Sequence, residues 1–531
     1  MAGESTKVTK SPMNWHNLGL CFAISWGLVV FGYPSAIIGT TLGEPSFLIY
    51  MGLLDPTTGK LVGNANGLIG AMSGVFQAGA ALGVFLVCFS MDRWGRKAGV
   101  YCCCAFSMLG GILLTASQGV AMFIVARFFA GVGSWGFLAV APVYASELAP
   151  PNLRGFFVGL TGVNAAFGYA LASYMGLAFY YDHNQEAQWR APLGLALIWP
   201  ASYIFLQSPR WLLLNHRLDE ARKIVFRLHF NKSDPEHEYA QEEFFQMRKQ
   251  MEMDKTLPSA WLDLFRLPSY RKRTLLGMLF AFSGQSTGVL VLNNYGPTIY
   301  GLLGYGTRDQ LALQCGWITV NIVGALFCSS VMDYFGRRKL VLIGLAGCVI
   351  FLCIQSAMIA EFANSGTNKA GLRMGVACSY IFLAFYSLFD TAGFVFYAEL
   401  FPNHMRAKGL SVIVCTIALT DLVYLQVSAT AFANIGWKFY LVFICAATVG
   451  ATGLYFLLPE TSGIPLEEMA KIFGVTDQVA VYLKDVHVDQ NTHEVVVTGE
   501  HGISTVGGVA DTKAGGDVEK EARPETEHFD M

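Results

Sequence analysis

Asp92-Arg93-Trp94-Gly95-Arg96-Lys97 stands between two long apolar runs, and Asp333-Tyr334-Phe335-Gly336-Arg337-Arg338 stands between two others. Both read as an acid, then an aromatic residue and a glycine, then two basic residues. A second echo follows each of them. One apolar run ends in Glu147 with Arg154 seven residues later, and another ends in Glu399 with Arg406 seven residues later. The chain is therefore two halves built on one plan, with charges held at matching helix ends.

Composition says what surrounds these signatures. The chain has 531 residues, 53% hydrophobic and only 14% charged, where a soluble domain carries about 25% charged residues. The charges are also unevenly spread, with 13 in the 190 residues of 17–206 and 23 in the 67 residues of 207–273. Two apolar blocks flank a polar one, which is the pattern of a polytopic membrane protein. A spanning helix needs about 20 mostly apolar residues. Twelve stretches qualify: 17–38, 64–89, 98–116, 121–146, 155–179, 191–206, 274–303, 310–331, 339–360, 371–398, 408–430 and 437–458.

The Lys/Arg bias of the loops sets the orientation. Loops 2–3 and 8–9 carry Arg93, Arg96, Lys97, Arg337, Arg338 and Lys339; Arg154, Arg406 and Lys408 lie in loops 4–5 and 10–11; and the polar block holds thirteen Lys/Arg. On the other side, Lys60 stands alone in loop 1–2 and loop 3–4 has none. Both termini and the polar block are thus expected in the cytoplasm. The expected layout is an N-terminus over 1–16, a first six-helix bundle over 17–206, a helical linker over 207–273, a second bundle over 274–458 and a tail over 459–531. In the linker, Leu218, Ala221, Ile224, Val225 and Leu228 recur at helical spacing, and 239–253 reads as a second, polar helix. The glycine-rich tail, charged towards its end, is expected to be largely disordered.

Other classes find no support. The twelve cysteines lie in or beside apolar runs, with neither a disulfide framework nor a metal-ligand spacing. The polar start of the chain has no cleavage pattern of a signal peptide. No Ser/His/Asp or phosphate-loop pattern points to an enzyme, no cofactor is implied, and no basic stripe points to nucleic acid. His183, His216 and His404 fall in loops and are expected to be solvated, and the triplet at Asn231 lies on the cytoplasmic side, where it would go unglycosylated.

Parallel six-helix halves sharing one signature are the mark of the major facilitator architecture. The chain resembles the sugar porter family of that superfamily over about 17–470. The motifs are Pro142-Val143-Tyr144-Ala145-Ser146-Glu147 with Arg154-Gly155, Ser208-Pro209-Arg210-Trp211, and Pro459-Glu460-Thr461-Ser462-Gly463. The resemblance implies an all-α membrane protein of twelve helices in two bundles. It also implies alternating access: a midplane cavity opening to one side and then the other. Asp92, Arg93, Arg96, Glu147, Arg154, Asp333, Arg337, Arg338, Glu399 and Arg406 would form a gating charge network at the cytoplasmic mouth, with the arginines reaching the glutamates at neighbouring helix ends.

The family lines its cavity with amides, which both donate to and accept from hydroxyls. Here Gln285, Gly288 and Tyr295 keep the pattern of span 7, and Asn321 that of span 8, while Gly284 and Leu290 stand where amides are usual. In span 5 the glutamine sites fall on Gly162 and Tyr169 with Asn164 nearby, Phe394 replaces a tryptophan, and Ile417 and Ala418 replace an Asn-Trp pair. The solute-binding candidates are Gln285, Asn321, Asn293, Asn294, Tyr295, Asn164 and Phe394, with helix–helix bonding as the alternative role of the asparagines.

Proton-coupled members place an acid after Gly-Tyr in span 1, facing an arginine in span 4. This chain reads Gly32-Tyr33-Pro34 and keeps Arg127. Asp390 and Asp421, acids inside spans 10 and 11, are the other candidates for proton coupling, or else braces between helices. The absent span-1 acid favours facilitation. The expected protein is a monomeric carrier of a small hydroxylated solute such as a sugar or polyol, set in a lipid bilayer and most simply the plasma membrane. Two rivals stay open: a carrier-like sensor signalling through its cytoplasmic parts, and an exporter of a less polar metabolite.

Overall fold

The computed structural model describes residues 15–148, 154–203, 238–254, 256–362, 369–462, 464, 466–474, 486–488, 495–499 and 502–505. Among them, ten stretches are long and apolar enough to cross a membrane. The last of these, Asn403–Leu457, contains two helices that turn at Gly436–Lys438, and the sixth crossing is built of shorter helices. The fold is thus twelve transmembrane helices in two six-helix bundles.

In the first bundle the spans are Trp15–Ser25 with Gly27–Gly43 (span 1), Ala65–Trp94 (2), Arg96–Thr115 (3), Val120–Leu148 (4) and Arg154–Tyr180 (5), then Gln185–Leu195 with Ile198–Ala201 (6). The second comprises Pro268–Gln285 with Val289–Leu302 (7), Thr307–Phe335 (8), Arg337–Phe362 (9), Lys369–Glu399 (10), Asn403–Ile435 (11) and Phe439–Leu457 (12). The repeated signatures are helix breaks of one geometry. Gly95 has φ 88° and Gly336 has φ 84°, a region that a Cβ makes costly, so each glycine ends one span and frees the next to turn back.

Span 6 begins earlier than its apolar stretch suggests, because its first turns are polar. The Asn184 side chain caps it by accepting from the Glu186 N–H at 3.0 Å, and Arg190 lies 3.5 Å from Glu186. Span 7 is broken where Gly288 adopts φ 75°. The bundles meet through span 2 against span 11 and span 5 against span 8. Outward faces stay apolar: Leu82, Val323, Val449 and Phe456 are 63–75% exposed, as lipid contact demands.

The linker helix at 239–253 is present as Glu238–Asp254, and the helix expected over 215–230 lies outside the described residues. Parts of the tail carry regular structure. Leu466–Phe473 forms a 3-10 helix whose Phe473 ring lies 4.5 Å from the Arg273 guanidinium. Further on, Val486–Val488 (β1), Val495–Gly499 (β2) and Gly502–Thr505 (β3) pair as an antiparallel meander in the order β1-β2-β3, packed against the linker helix. The β-branched residues of these segments fit a pleated surface, a local signal that the tail's overall composition conceals.

Candidate functional site

A cavity lies between the bundles, lined by residues of both. Its amides all come from the second bundle. Gln285, at the end of the first half of span 7, is half-buried, and its side-chain amide makes no hydrogen bond among the described residues. Asn293 sits on the second half. Gln314 Nε2 donates to its Oδ1 at 3.0 Å and to its backbone carbonyl at 3.1 Å, which leaves its Nδ2 without a partner. Asn321 of span 8 is 7% exposed and likewise uncommitted. The break at Gly288 turns both halves of span 7 so that each offers an amide to the same space.

The first bundle offers mainly aromatic surface. Phe31 and Trp135 meet edge-on with centroids 5.1 Å apart, and Trp135 Nε1 is buried without a partner. Tyr169 adds a hydroxyl beside them, and Tyr386, Phe389, Phe394 and Tyr397 close the wall from span 10. Apart from Phe394 and Tyr169, sequence reasoning missed these rings. Nothing in a chain with 13% aromatic residues distinguishes a cavity ring from core filler.

Three candidates lie elsewhere. The Asn164 amide donates to Ser25 Oγ and so ties span 5 to span 1. Asn294 is 2% exposed and packs on span 1 beside Gly39. Tyr295 donates its hydroxyl to the Leu425 carbonyl of span 11 at 3.1 Å. Asn164 and Tyr295 thus brace helices, and none of the three lines the central cavity. Asp390 and Asp421 do line the cavity, whereas Arg127 does not. Its guanidinium donates to the Pro34 carbonyl at 2.9 Å and the Met72 carbonyl at 3.2 Å and lies over the Phe76 ring at 3.9 Å. Carbonyls and a π face thus replace the missing acid.

The second cluster sits at the end that bears the basic loops. Arg337 Nη2 lies 3.2 Å from Asp333 Oδ1 and 3.3 Å from Glu399 Oε1, and its Nη1 donates to Ser462 Oγ at 2.7 Å. Thr461 donates to the other Glu399 oxygen at 2.8 Å. Glu460 accepts from the backbone N–H groups of Arg337 at 2.9 Å and Arg338 at 3.1 Å, capping span 9. Asp333 also crosses between bundles, accepting from the Gly155 N–H at 3.2 Å and the Phe156 N–H at 3.0 Å at the start of span 5.

Not every charge expected there takes part. Arg338 reaches the Tyr455 carbonyl at 2.7 Å and not a glutamate. Arg93 is exposed and lies against Phe89 and Trp94. The side chains of Arg96, Glu147 and Arg154 lie outside the described residues. His404 is not solvated: its Nδ1 is 3.4 Å from Asp254 and its Nε2 is 3.0 Å from the Tyr270 hydroxyl.

A midplane cavity between two pseudo-repeated bundles, with a charge cluster at one mouth, is the anatomy of a solute carrier. The profile of the Sugar (and other) transporter family matches residues 20–473. The chain belongs to this family. It is 28% identical to the MFS-type transporter criB of Aspergillus cristatus, over 86% of this chain and 94% of that protein. With the quinate permease of Neurospora africana it shares 27% identity, over 89% and 91%. Its fold matches the E. coli xylose symporter XylE with a TM-score of 0.74 at 20% identity, covering 87% of this chain and 100% of the other. The protein is a multi-pass membrane transporter of the sugar porter type.

Proposed function

We propose that the protein carries a small hydroxylated solute, a sugar, polyol or similar molecule, by alternating access. It does so as a facilitative monomer of the plasma membrane with both termini in the cytoplasm. The observation that carries this reading is the convergence of Gln285, Asn293 and Asn321 on one central space, each with hydrogen-bonding capacity that no protein group uses. Hydroxyls are the natural complement of such amides. Facilitation is supported by Arg127, whose donors rest on carbonyls and not on a titrating acid. The orientation rests on the Lys/Arg-rich loops gathering at one end of the bundle.

The test is uptake of labelled hexoses, pentoses, disaccharides, polyols and quinate by reconstituted protein, with and without an imposed pH gradient. Uptake is expected to follow the solute gradient and ignore the pH gradient. Replacing Gln285→Ala should raise the half-saturation concentration about two- to tenfold, the worth of one such hydrogen bond. Absence of uptake for the whole panel by correctly inserted protein overturns the reading. A second reading, export of a less polar metabolite, is favoured by Leu290 and Ile417 on the cavity wall. Efflux from preloaded vesicles separates the two.

A further inference from the structure

The central cavity is lined by two carboxyl groups that have no cationic partner among the described residues. Asp390 of span 10 and Asp421 of span 11 both line it. Asp421 is 2% exposed, and its Oδ2 has no hydrogen-bond partner. Asp390 accepts one long bond, 3.4 Å from the Tyr386 hydroxyl. Among the described residues neither takes part in an ion pair, and no Lys, Arg or His lines the cavity. Arg127 is spent on carbonyls elsewhere.

Two further groups mark the same space as shaped for an occupant. Asn293 is 4% exposed with an unpartnered Nδ2, and Trp135 is 2% exposed with an unpartnered Nε1; both face the cavity. Buried polar atoms without partners are rare and costly, so several around one space call for a ligand that completes them. The character of the wall narrows the choice. Carboxylates in a low-dielectric site are relieved by a cation, and aromatic faces such as Phe31, Tyr169, Phe389 and Tyr397 attract one as well. An anionic solute would gain nothing from two carboxyl groups.

We propose that the solute is a hydroxylated amine, its ammonium group held by Asp421 and Asp390 against the aromatic wall and its hydroxyls bound by Gln285, Asn293 and Asn321. This deepens the hydroxylated-solute reading above and rests on it. No covalent step is involved. Movement of the cation carries charge across the membrane, so transport is electrogenic and driven by the membrane potential.

The experiment uses full-length protein in proteoliposomes, at a pH that keeps glucosamine protonated. Glucosamine is compared with glucose and N-acetylglucosamine, its neutral counterparts, under a set membrane potential. Glucosamine is expected to saturate uptake at a concentration about tenfold or more below either neutral sugar, the worth of a hydrogen bond to a charged group, and to carry current. Asp421→Asn should abolish that preference, Asp421→Glu should restore part of it, and Asp390→Asn should weaken it. A melting shift with glucosamine shows which variants are folded. Should Asp421→Asn fail to fold, the wild-type preference and Asp421→Glu decide the matter.

Equal handling of the three sugars by the wild type overturns the proposal, as does a folded Asp421→Asn that keeps the preference. Neutral-sugar uptake that is driven by a pH gradient and lost in Asp421→Asn also overturns it, making the acids proton carriers. In each of these cases sugar still moves, so the hydroxylated-solute reading survives. If neither glucosamine nor any member of the neutral panel enters, both readings fall.

Discussion

At the scale of single residues, the contact between Asp333 and Gly155 ties the two bundles together at the mouth that bears the basic loops. The first N–H groups of a helix have no partner within it, and span 5 finds its acceptor on the opposite bundle. A Cβ at Gly155 would overlap the Asp333 carboxylate. Gly155→Ala should therefore force the bundles apart at this mouth, costing about 1–3 kcal/mol of stability in the closed form. A cysteine introduced as Ser329→Cys, now buried beside the Phe156 carbonyl, should then react faster with thiol reagents. Unchanged melting and labelling would count against this. Glu44 gives a different prediction. It follows span 1, is 1% exposed, and burial raises its carboxyl from 4.5 to about 9, with Oε2 left without a partner. An acid whose pKa is raised on folding stabilises most below its unfolded value, and that contribution fades as pH rises from 4.5 towards about 9. Glu44→Gln should flatten the melting-temperature profile across this window and raise stability at its alkaline end. A profile that keeps its slope excludes the assignment.

At the scale of elements, the docking of the linker helix and the breaks in the spans organise both mouth and cavity. Glu238–Asp254 is polar overall, but Phe244, Phe245 and Gln250 are buried and Asp254 meets His404 at the start of span 11. Gln250 donates to the same carboxylate at 2.9 Å. His404→Ala should cost about 1 kcal/mol at this contact and speed tryptic cleavage at Arg248 and Lys249 while leaving the uptake half-saturation concentration within about twofold. Cleavage at the wild-type rate would show that the helix is held by other means. Which face docks, and on which partners, was not legible in the sequence, because a buried face of a polar helix shows only against the surface that covers it. The Gly95 and Gly336 breaks were legible, because a glycine followed by two cations between apolar runs has few other readings. The break at Gly288 was not, since a glycine within an apolar helix is common.

At the scale of the whole molecule, transport requires contacts between the bundles to form at one end as they break at the other. At the end away from the basic loops, span 1 abuts the second half of span 7, and a Cβ at Gly43 would lie 3.0 Å from Pro297 Cβ. Cysteines at both positions, Gly43→Cys with Pro297→Cys, approach the Cβ separation of about 3.5–4.5 Å that a disulfide needs. Oxidation should stop uptake and a reductant should restore it; uptake indifferent to oxidation would mean that this contact need not open. The sequence by itself determined the membrane class, the twofold repeat and the family, because hydropathy, loop charge and motif spacing are local properties that survive without coordinates; which arginine meets Glu399 it left open. Only the tertiary structure decided that Asn164 and Tyr295 brace helices while Asn293 lines the central cavity, that Asp390 and Asp421 share that cavity, and that Arg127 rests on carbonyls. Those distinctions turn on which face of a helix meets which neighbour, and in a chain whose helices are apolar on nearly every side the pattern of residues does not say which face is inside.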